Sequence, residues 1–290
     1  MENFSLSLDM HMHTVLSDGT DTPAEIAVKA KDAGMDLFSV TDHDSVKAAK
    51  SVLSVPKEER PLFIPGAEFS CKDEHGKYHI LGYGFDTENE SLAAVVSRGH
   101  SLRMKKVLAR LDFLKSSFGF EFPEEEIKAL LSLDNPGKPH IGNLMVKYGY
   151  AETKKQAISD YIDKAHFRSE YIRPEEAISG ILAAGGIPVL AHPCYGSGNE
   201  LILGEEMESR LLRLIDFGLR GMEAFYSGFT GKLRGAMIGL AERYGMLITA
   251  GSDYHGMNKL VKLGDTGLRE VDEYPKGLFA FLREIAPLQK

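Results

Sequence analysis

Residues 4–13, FSLSLDMHMH, alternate strictly between apolar and polar positions. Phe4, Leu6, Leu8, Met10 and Met12 fall on one face of an extended chain, and Ser5, Ser7, Asp9, His11 and His13 fall on the other. The period predicts a strand whose two imidazoles point the same way. Six more short apolar segments have strand character: 37–43, 62–69, 78–85, 187–192, 221–226 and 246–253. Most are separated by helical patterns. In TPAEIAVKAKDAG, Thr22 is placed to cap, Pro23 takes the first helical position and Gly34 is the stop; PEEAISGILAAGG from Pro174 reads alike. Strand alternating with helix predicts a parallel sheet with right-handed crossovers, and seven such units predict a closed or nearly closed barrel.

One connection is different. Residues 86–171, between the fourth and fifth strands, read as helices, including SLAAVVSRGHSLRMKKVLARLDFLKSS and PEEEIKALLSL, with turns at Asn135-Pro136-Gly137 and near Gly149. So long a connection with helices of its own predicts an inserted helical subdomain. The barrel is then formed by residues 1–85 and 172–290.

Composition narrows the chemistry. No apolar run approaches the roughly 18 residues of a membrane span, and the chain starts with an alternating strand where a secretory leader has an apolar block, so a cytoplasmic protein is expected. Cys71 and Cys194 are too few for a disulfide framework and lack zinc-finger spacing, which leaves nitrogen and oxygen as metal donors. The net charge of −8 argues against general attraction to nucleic acid. The 86–171 segment is neutral, with 13 Lys and Arg against 13 Asp and Glu, so the rest of the chain carries the acidity. This balance favours small molecules over long polymers, with short oligonucleotides as the larger alternative, and no obligate protein partner is expected.

Candidate ligands gather at strand ends. His11 and His13 end the first strand, His43 the second, Glu68 the third; His79 lies in YHILGYGF, His192 in LAHP, Asp253 and His255 in GSDYH, and Asp18 follows the first strand in SDG. Barrel chemistry sits at the C-terminal ends of strands. Six imidazoles and three carboxylates at one mouth would suffer desolvation and repulsion unless cations lay among them. With one carboxylate bridging, nine donors suit two or three divalent ions, and a thiolate-free set admits manganese, iron or zinc. His75, His100 and His166 read as surface or packing residues, Tyr78, Tyr83 and Phe85 as packing, and Glu223 and Tyr226 as pocket wall without a ligand role.

In order, Asp9-Met10-His11-Met12-His13, Thr41-Asp42-His43, Gly66-Ala67-Glu68, His79, Ala191-His192-Pro193 and Ser252-Asp253-Tyr254-His255 resemble the polymerase and histidinol phosphatase (PHP) domain metal-dependent phosphoesterases. The resemblance implies a distorted (β/α)7 barrel with a trinuclear site. One ion would be held by His11, His13, Glu68 and Asp253, a second, bridged by Glu68, by His79 and His192, and a third by Asp18, His43 and His255. Asp18 is similar to the branch that hydrolyses nucleotides and bisphosphates, where other branches carry a His. KPHIGNLMVKYGY resembles that branch's Arg-Pro-His motif, with Lys138 in place of the first Arg and Asn143 of the second. RGHSLRMKK resembles its Arg-rich helix. On that basis Arg103 and Lys106, three apart on one helix face, and Lys138 and His140, beside Pro139, are expected to bind substrate phosphate.

The expected reaction is hydrolysis of nucleotide phosphate monoesters, 3′,5′-bisphosphates or nucleoside monophosphates. A metal-bridging hydroxide held among Glu68, His79, His192 and Asp253 would attack phosphorus in line. No nucleophile elbow or phosphate-binding Gly-rich loop suggests another route. Asp9 is expected to orient an imidazole. The alternatives are a 5′-3′ exoribonuclease on short 5′-phosphorylated RNA, a histidinol phosphatase, and a non-catalytic, metal-stabilised scaffold.

Overall fold

The computed structural model describes residues 6–167, 169–196 and 200–288; Phe4 and Ser5 of the opening pattern lie outside them. Eight strands are present among the described residues. β1 (Leu8–Asp9), β2 (Leu37–Phe38) and β3 (Leu62–Phe63) form a parallel sheet, and β4 (Gly66–Lys72), β5 (Lys77–Tyr83), β6 (Ile187–Leu190), β7 (Gly221–Tyr226) and β8 (Leu247–Gly251) form a second in that order. The expected third strand is two, because Pro65 has no N–H to continue a ladder. Backbone hydrogen bonds tie the sheets on both flanks: Met10 N donates to Ala250 O (2.9 Å) and Asp253 N to His11 O (2.8 Å), while Glu68 N donates to Asp42 O (3.2 Å) and Asp44 N to Glu68 O (2.8 Å). The architecture is a mixed α/β fold of two linked sheets.

The expectation of an all-parallel sheet fails at β5, which runs antiparallel to both β4 and β6. The cause is local. Only Asp73–Gly76 separate β4 from β5, too few for a crossover, and the Asp73 carboxylate accepts from the N–H groups of His75 (2.8 Å) and Gly76 (3.1 Å) to close a hairpin. β6, β7 and β8 are parallel, as expected.

The helices follow their sequence signals. α1 (Pro23–Asp32) starts at Thr22, which forms a capping box with Glu25, and Gly34 adopts a positive φ just beyond its end. α2 (Ala48–Leu53) completes the layer over the first sheet, where Ile26, Ala27, Phe38, Val52 and Phe63 are buried together. Four helices then follow without a strand: α3 (Glu90–Phe118), α4 (Glu124–Leu131), α5 (Lys138–Lys147) and the single turn α6 (Lys154–Gln156). Val107, Leu111, Leu114, Ile141, Met145 and Ile162 form a separate apolar cluster within this segment. α7 (Pro174–Ala183), α8 (Gly204–Asp216), α9 (Gly231–Arg243) and α10 (Lys276–Ile285) pack on the second sheet around Tyr83, Ile181, Phe225 and Phe281. No helix among the described residues is long and apolar enough to cross a membrane.

Both faces of the opening segment are buried. Met10 and Met12 enter the packed layers, while Asp9, His11 and His13, each fully buried, face the interior between the sheets. The polar half of the alternation lines an internal site.

Candidate metal centre

Glu68 is the hub. It is 1% exposed, and its two carboxylate oxygens meet five imidazoles: Oε1 lies 2.8 Å from His79 Nδ1, 3.3 Å from His192 Nε2 and 3.4 Å from His11 Nε2, while Oε2 lies 3.1 Å from His43 Nδ1 and 3.2 Å from His13 Nε2. Asp253 Oδ1 faces His11 (3.6 Å), His13 (3.3 Å) and His255 (3.4 Å). Asp18, in the expected turn after β1, reaches His255 Nε2 at 3.2 Å, His13 Nδ1 at 3.7 Å and His43 Nε2 at 4.0 Å. All nine residues expected from the sequence therefore converge.

Their grouping is more interlocked than three separate sets. Ligand atoms within 4.8 Å of one another come from His13, Asp18, His43 and His255; from His11, His13 and Asp253; and from His43, Glu68 and His79. His13 and His43 each belong to two groups, and His192 joins through His79, 3.2 Å away. His11 Nε2, His13 Nε2, His43 Nδ1 and Asp18 Oδ1 are buried without a hydrogen-bond partner. Unpartnered imidazole nitrogens and a carboxylate oxygen turned toward one another fit divalent cations.

The electrostatics agree with a cation site. Burial alone would favour neutral groups, yet surrounding imidazoles hold Glu68 and Asp18, and Lys259 with His11 hold Asp253, well below the usual carboxylate range. Burial likewise opposes charge on His13, but Asp253 and Glu68 raise it to about 9. Burial drives His43 well below the ordinary imidazole value. Neither thiol competes as a ligand: burial pushes Cys71 well up and Cys194 to about 11.

A shell of buried hydrogen bonds fixes this array, and it differs from expectation at Asp9. The Asp9 carboxylate accepts from Ser252 N and Oγ, Gly264 N and His11 N, so it pins backbone and touches no imidazole ring. Glu223 contacts His11 instead, with Oε1 3.0 Å from Nδ1. A lone Glu inside the apolar GMEAFY run of β7 was the available signal. Asp42 accepts from Thr14 N (2.8 Å), Thr14 Oγ1 (2.6 Å) and Ser17 Oγ (2.6 Å), and Ser17 Oγ lies 3.4 Å from His13 Nδ1. Among the described residues the non-glycine positions with positive φ are Asp44, His192 and Asp253, all at the site.

Two chambers open from the centre and share Asp18, His43, His79 and Pro139. The first, about 260 Å³, is basic, lined by Arg103, Lys106, Arg110 and Lys138 with Tyr171. Gly99 lets α3 pass close over it: a Cβ there would stand 3.1 Å from Asp44 Cβ. Arg103 donates to Asp44 (2.7 Å) and Ser70 (3.3 Å); Lys106 Nζ lies 3.2 Å from the Tyr171 ring centre; Lys138 pairs with Asp163 (2.5 Å). His140 does not line it. Its Nδ1 accepts from Gly137 N (3.1 Å) and caps α5. The second chamber, about 510 Å³, is lined by Lys154, Tyr195, Tyr226 and Lys259 beside Glu68, His192 and Asp253. Lys259 and Tyr226 both donate to Asp253 Oδ2; Lys259 sits in a loop with no sequence signal marking it.

Known proteins carry related sequences. The chain is 28% identical over 259 residues to a 5′-3′ exoribonuclease of Haemophilus influenzae, an alignment covering 88% of this chain and 92% of that one. It is 26% identical over 259 residues to a 3′,5′-nucleoside bisphosphate phosphatase of Chromobacterium violaceum, covering 86% and 87%. The structure of a proposed metal-dependent phosphoesterase from Bifidobacterium adolescentis superimposes with a TM-score of 0.82 at 26% identity, covering 97% and 96%. The PHP domain pattern matches residues 9–172, more than half of the 290. Since that match contains six of the nine converging residues, and the fold brings the other three to them, the chain belongs to the PHP domain family of phosphoesterases.

Proposed function

We propose that the protein hydrolyses phosphate monoesters of nucleotides, 3′,5′-bisphosphates or nucleoside monophosphates, at two or three divalent ions held by His11, His13, Asp18, His43, Glu68, His79, His192, Asp253 and His255. The carrying observation is the Glu68 carboxylate, whose oxygens face different imidazole sets and are placed to join neighbouring ions. Bound divalent ions would supply positive charge to phosphoryl oxygens and a water acidic enough to attack near neutral pH. The protein's own part is orientation: Glu223, Ser17 and the backbone carbonyl of Asp253, 2.9 Å from His255 Nδ1, aim the imidazoles inward. Arg103, Lys106 and Lys138 give the first chamber a basic wall suited to phosphate oxygens. In this reading residues 86–171 are a helical layer inserted into a distorted (β/α)7 barrel and covering its mouth.

The test is turnover with manganese, read as released phosphate and, by chromatography, as released nucleotides or opened rings, across mononucleotides, bisphosphates, cyclic phosphodiesters, sugar phosphates and short 5′-phosphorylated RNA. The reading requires nucleotide monoesters to be hydrolysed fastest, and no phosphate released from them would refute it. A second reading, 5′-3′ trimming of short RNA, is favoured by the two chambers that meet at Asp18, His43, His79 and Pro139, which leave room for a chain to continue. RNA outrunning every mononucleotide in the same screen would select it.

A further inference from the structure

Glu223 is a fully buried carboxylate on an apolar strand, and its bonds run to two histidines from different parts of the chain. Oε1 lies 3.0 Å from His11 Nδ1, and Oε2 accepts from the backbone N–H of His192 at 2.8 Å. The first contact leaves His11 Nε2 facing Glu68 and Asp253. The second secures a residue with φ of 26°, which an L-amino acid adopts only when its surroundings impose it. Gly251 on β8 makes room for this arrangement, since a Cβ there would stand 2.3 Å from both Glu223 Oε1 and His11 Cβ.

We infer that Glu223 is a positioning residue that couples two parts of the metal centre, fixing the ring of His11 and the backbone of His192 through the two oxygens of one carboxylate. The inference rests on the metal-centre reading above. The geometry uses both acceptors at once, so neither a shorter acid nor an amide can replace it. Glu223→Asp keeps two acceptors but is one methylene short of spanning both partners. Glu223→Gln keeps the span but turns an NH2 donor toward one of two donors. Among the described residues Glu223 bonds directly to His11 and His192, whereas Asp18, His43 and His255 are reached only through Glu68 and Asp253.

The experiment is manganese titration of the metal-free protein against a chelator, resolved by site occupancy, for wild type, E223Q and E223D, with the melting temperature of each metal-free form. Loss of a partner that orients a metal-ligating histidine weakens affinity about ten- to a hundredfold. That loss is expected in both variants for ions held through His11 and His192, while the ion held through Asp18, His43 and His255 keeps its wild-type affinity. A role confined to packing would lower the melting temperature and leave every affinity of the folded protein unchanged. Unchanged affinities, or equal loss at every site, overturn the inference. Wild type binding no manganese would instead overturn the metal-centre reading. If neither variant folds, the His11 imidazole NMR signals of wild type decide: a slowly exchanging proton on Nδ1 supports the bond to Glu223, and a ring with no proton on Nδ1 overturns it.

Discussion

Lys106 supplies a test in which pH switches a single charge in the first chamber. Its ammonium group is partly buried on α3, over the Tyr171 ring and near Arg103. Burial first and Arg103 second lower its pKa to about 7 from the ordinary 10.5. The charged form therefore exceeds the neutral form roughly tenfold at pH 6, and the ratio is reversed at pH 8. A hydrogen bond from a charged donor is worth about 1.5–3 kcal/mol, and the cation–π contact with Tyr171 that substrate must replace takes up part of it. A factor of about 10 in kcat/KM is left. In the free enzyme, which kcat/KM reports, the advantage of wild type over Lys106→Ala should be about tenfold at pH 6 and close to one at pH 9. Dividing one enzyme by the other cancels the titration of substrate and of the metal centre. Lys106→Arg, charged throughout, should keep its advantage over Lys106→Ala at pH 9. The assay is phosphate release from a nucleoside bisphosphate with saturating manganese, pH 6 to 9. A ratio that stays flat, or a Lys106→Ala enzyme as active as wild type at pH 6, would refute the placement of phosphate beside Lys106.

Further outcomes follow from the same geometry. Glu68→Gln replaces one oxygen of the hub with a donor and should abolish turnover along with most bound metal; full metal content by elemental analysis would sink the hub assignment. Chelation should lower thermal stability, because an ion present at a thousand times its dissociation constant adds about 4 kcal/mol to a fold that alone holds its ligands, or roughly 10 °C in a chain of this size. An unchanged melting temperature after dialysis against EDTA counts against it. Thr22→Ala removes a helix cap on α1, remote from both chambers, and should cost about 1 kcal/mol in a denaturant melt while leaving metal content intact.

Much of the centre was legible because its residues sit in local patterns. Alternation put His11 and His13 on one face, and strand ends carried His43, His192 and Asp253 into one place with Glu68, which lies inside β4 rather than at its end as expected. Asp18, an ordinary turn residue by its neighbours, joins the candidates by its place after the first strand, and the resemblance assigns it to an ion. What stayed hidden depends on distant pairing. Periodicity places Arg103 and Lys106 on one helix face, but only the close approach of α3 to Asp44 at Gly99 brings Arg103 to that carboxylate. The capping bond that His140 Nδ1 accepts from Gly137 N shows only once the turn is folded. Lys259 follows the last motif by four residues, in a loop whose path is set by contacts to Asp18 and Thr20. The antiparallel β5 was missed for another reason: the gap expected between strands, residues 70–77, is too short for a crossover helix yet was read with the rule for longer ones, and the structure shortens it to 73–76.

The helical segment 86–171 is attached to the sheets through residues beside the metal ligands. Arg103 holds Asp44, next to His43; Asn135 donates to the His43 carbonyl; Lys154 contacts Asn258, whose amide in turn donates to the Asp18 carbonyl at 2.7 Å. Asp44 and Asp253 meanwhile keep backbones that cost about 1–3 kcal/mol each. A helical layer held by its own apolar cluster and anchored at these points cannot shift without moving the backbone that aims His43 and Asp18. The basic wall and the donor array are therefore placed by one set of contacts. Under the proposed function, these contacts would keep a phosphate-binding wall on the helical segment in register with the metal ligands.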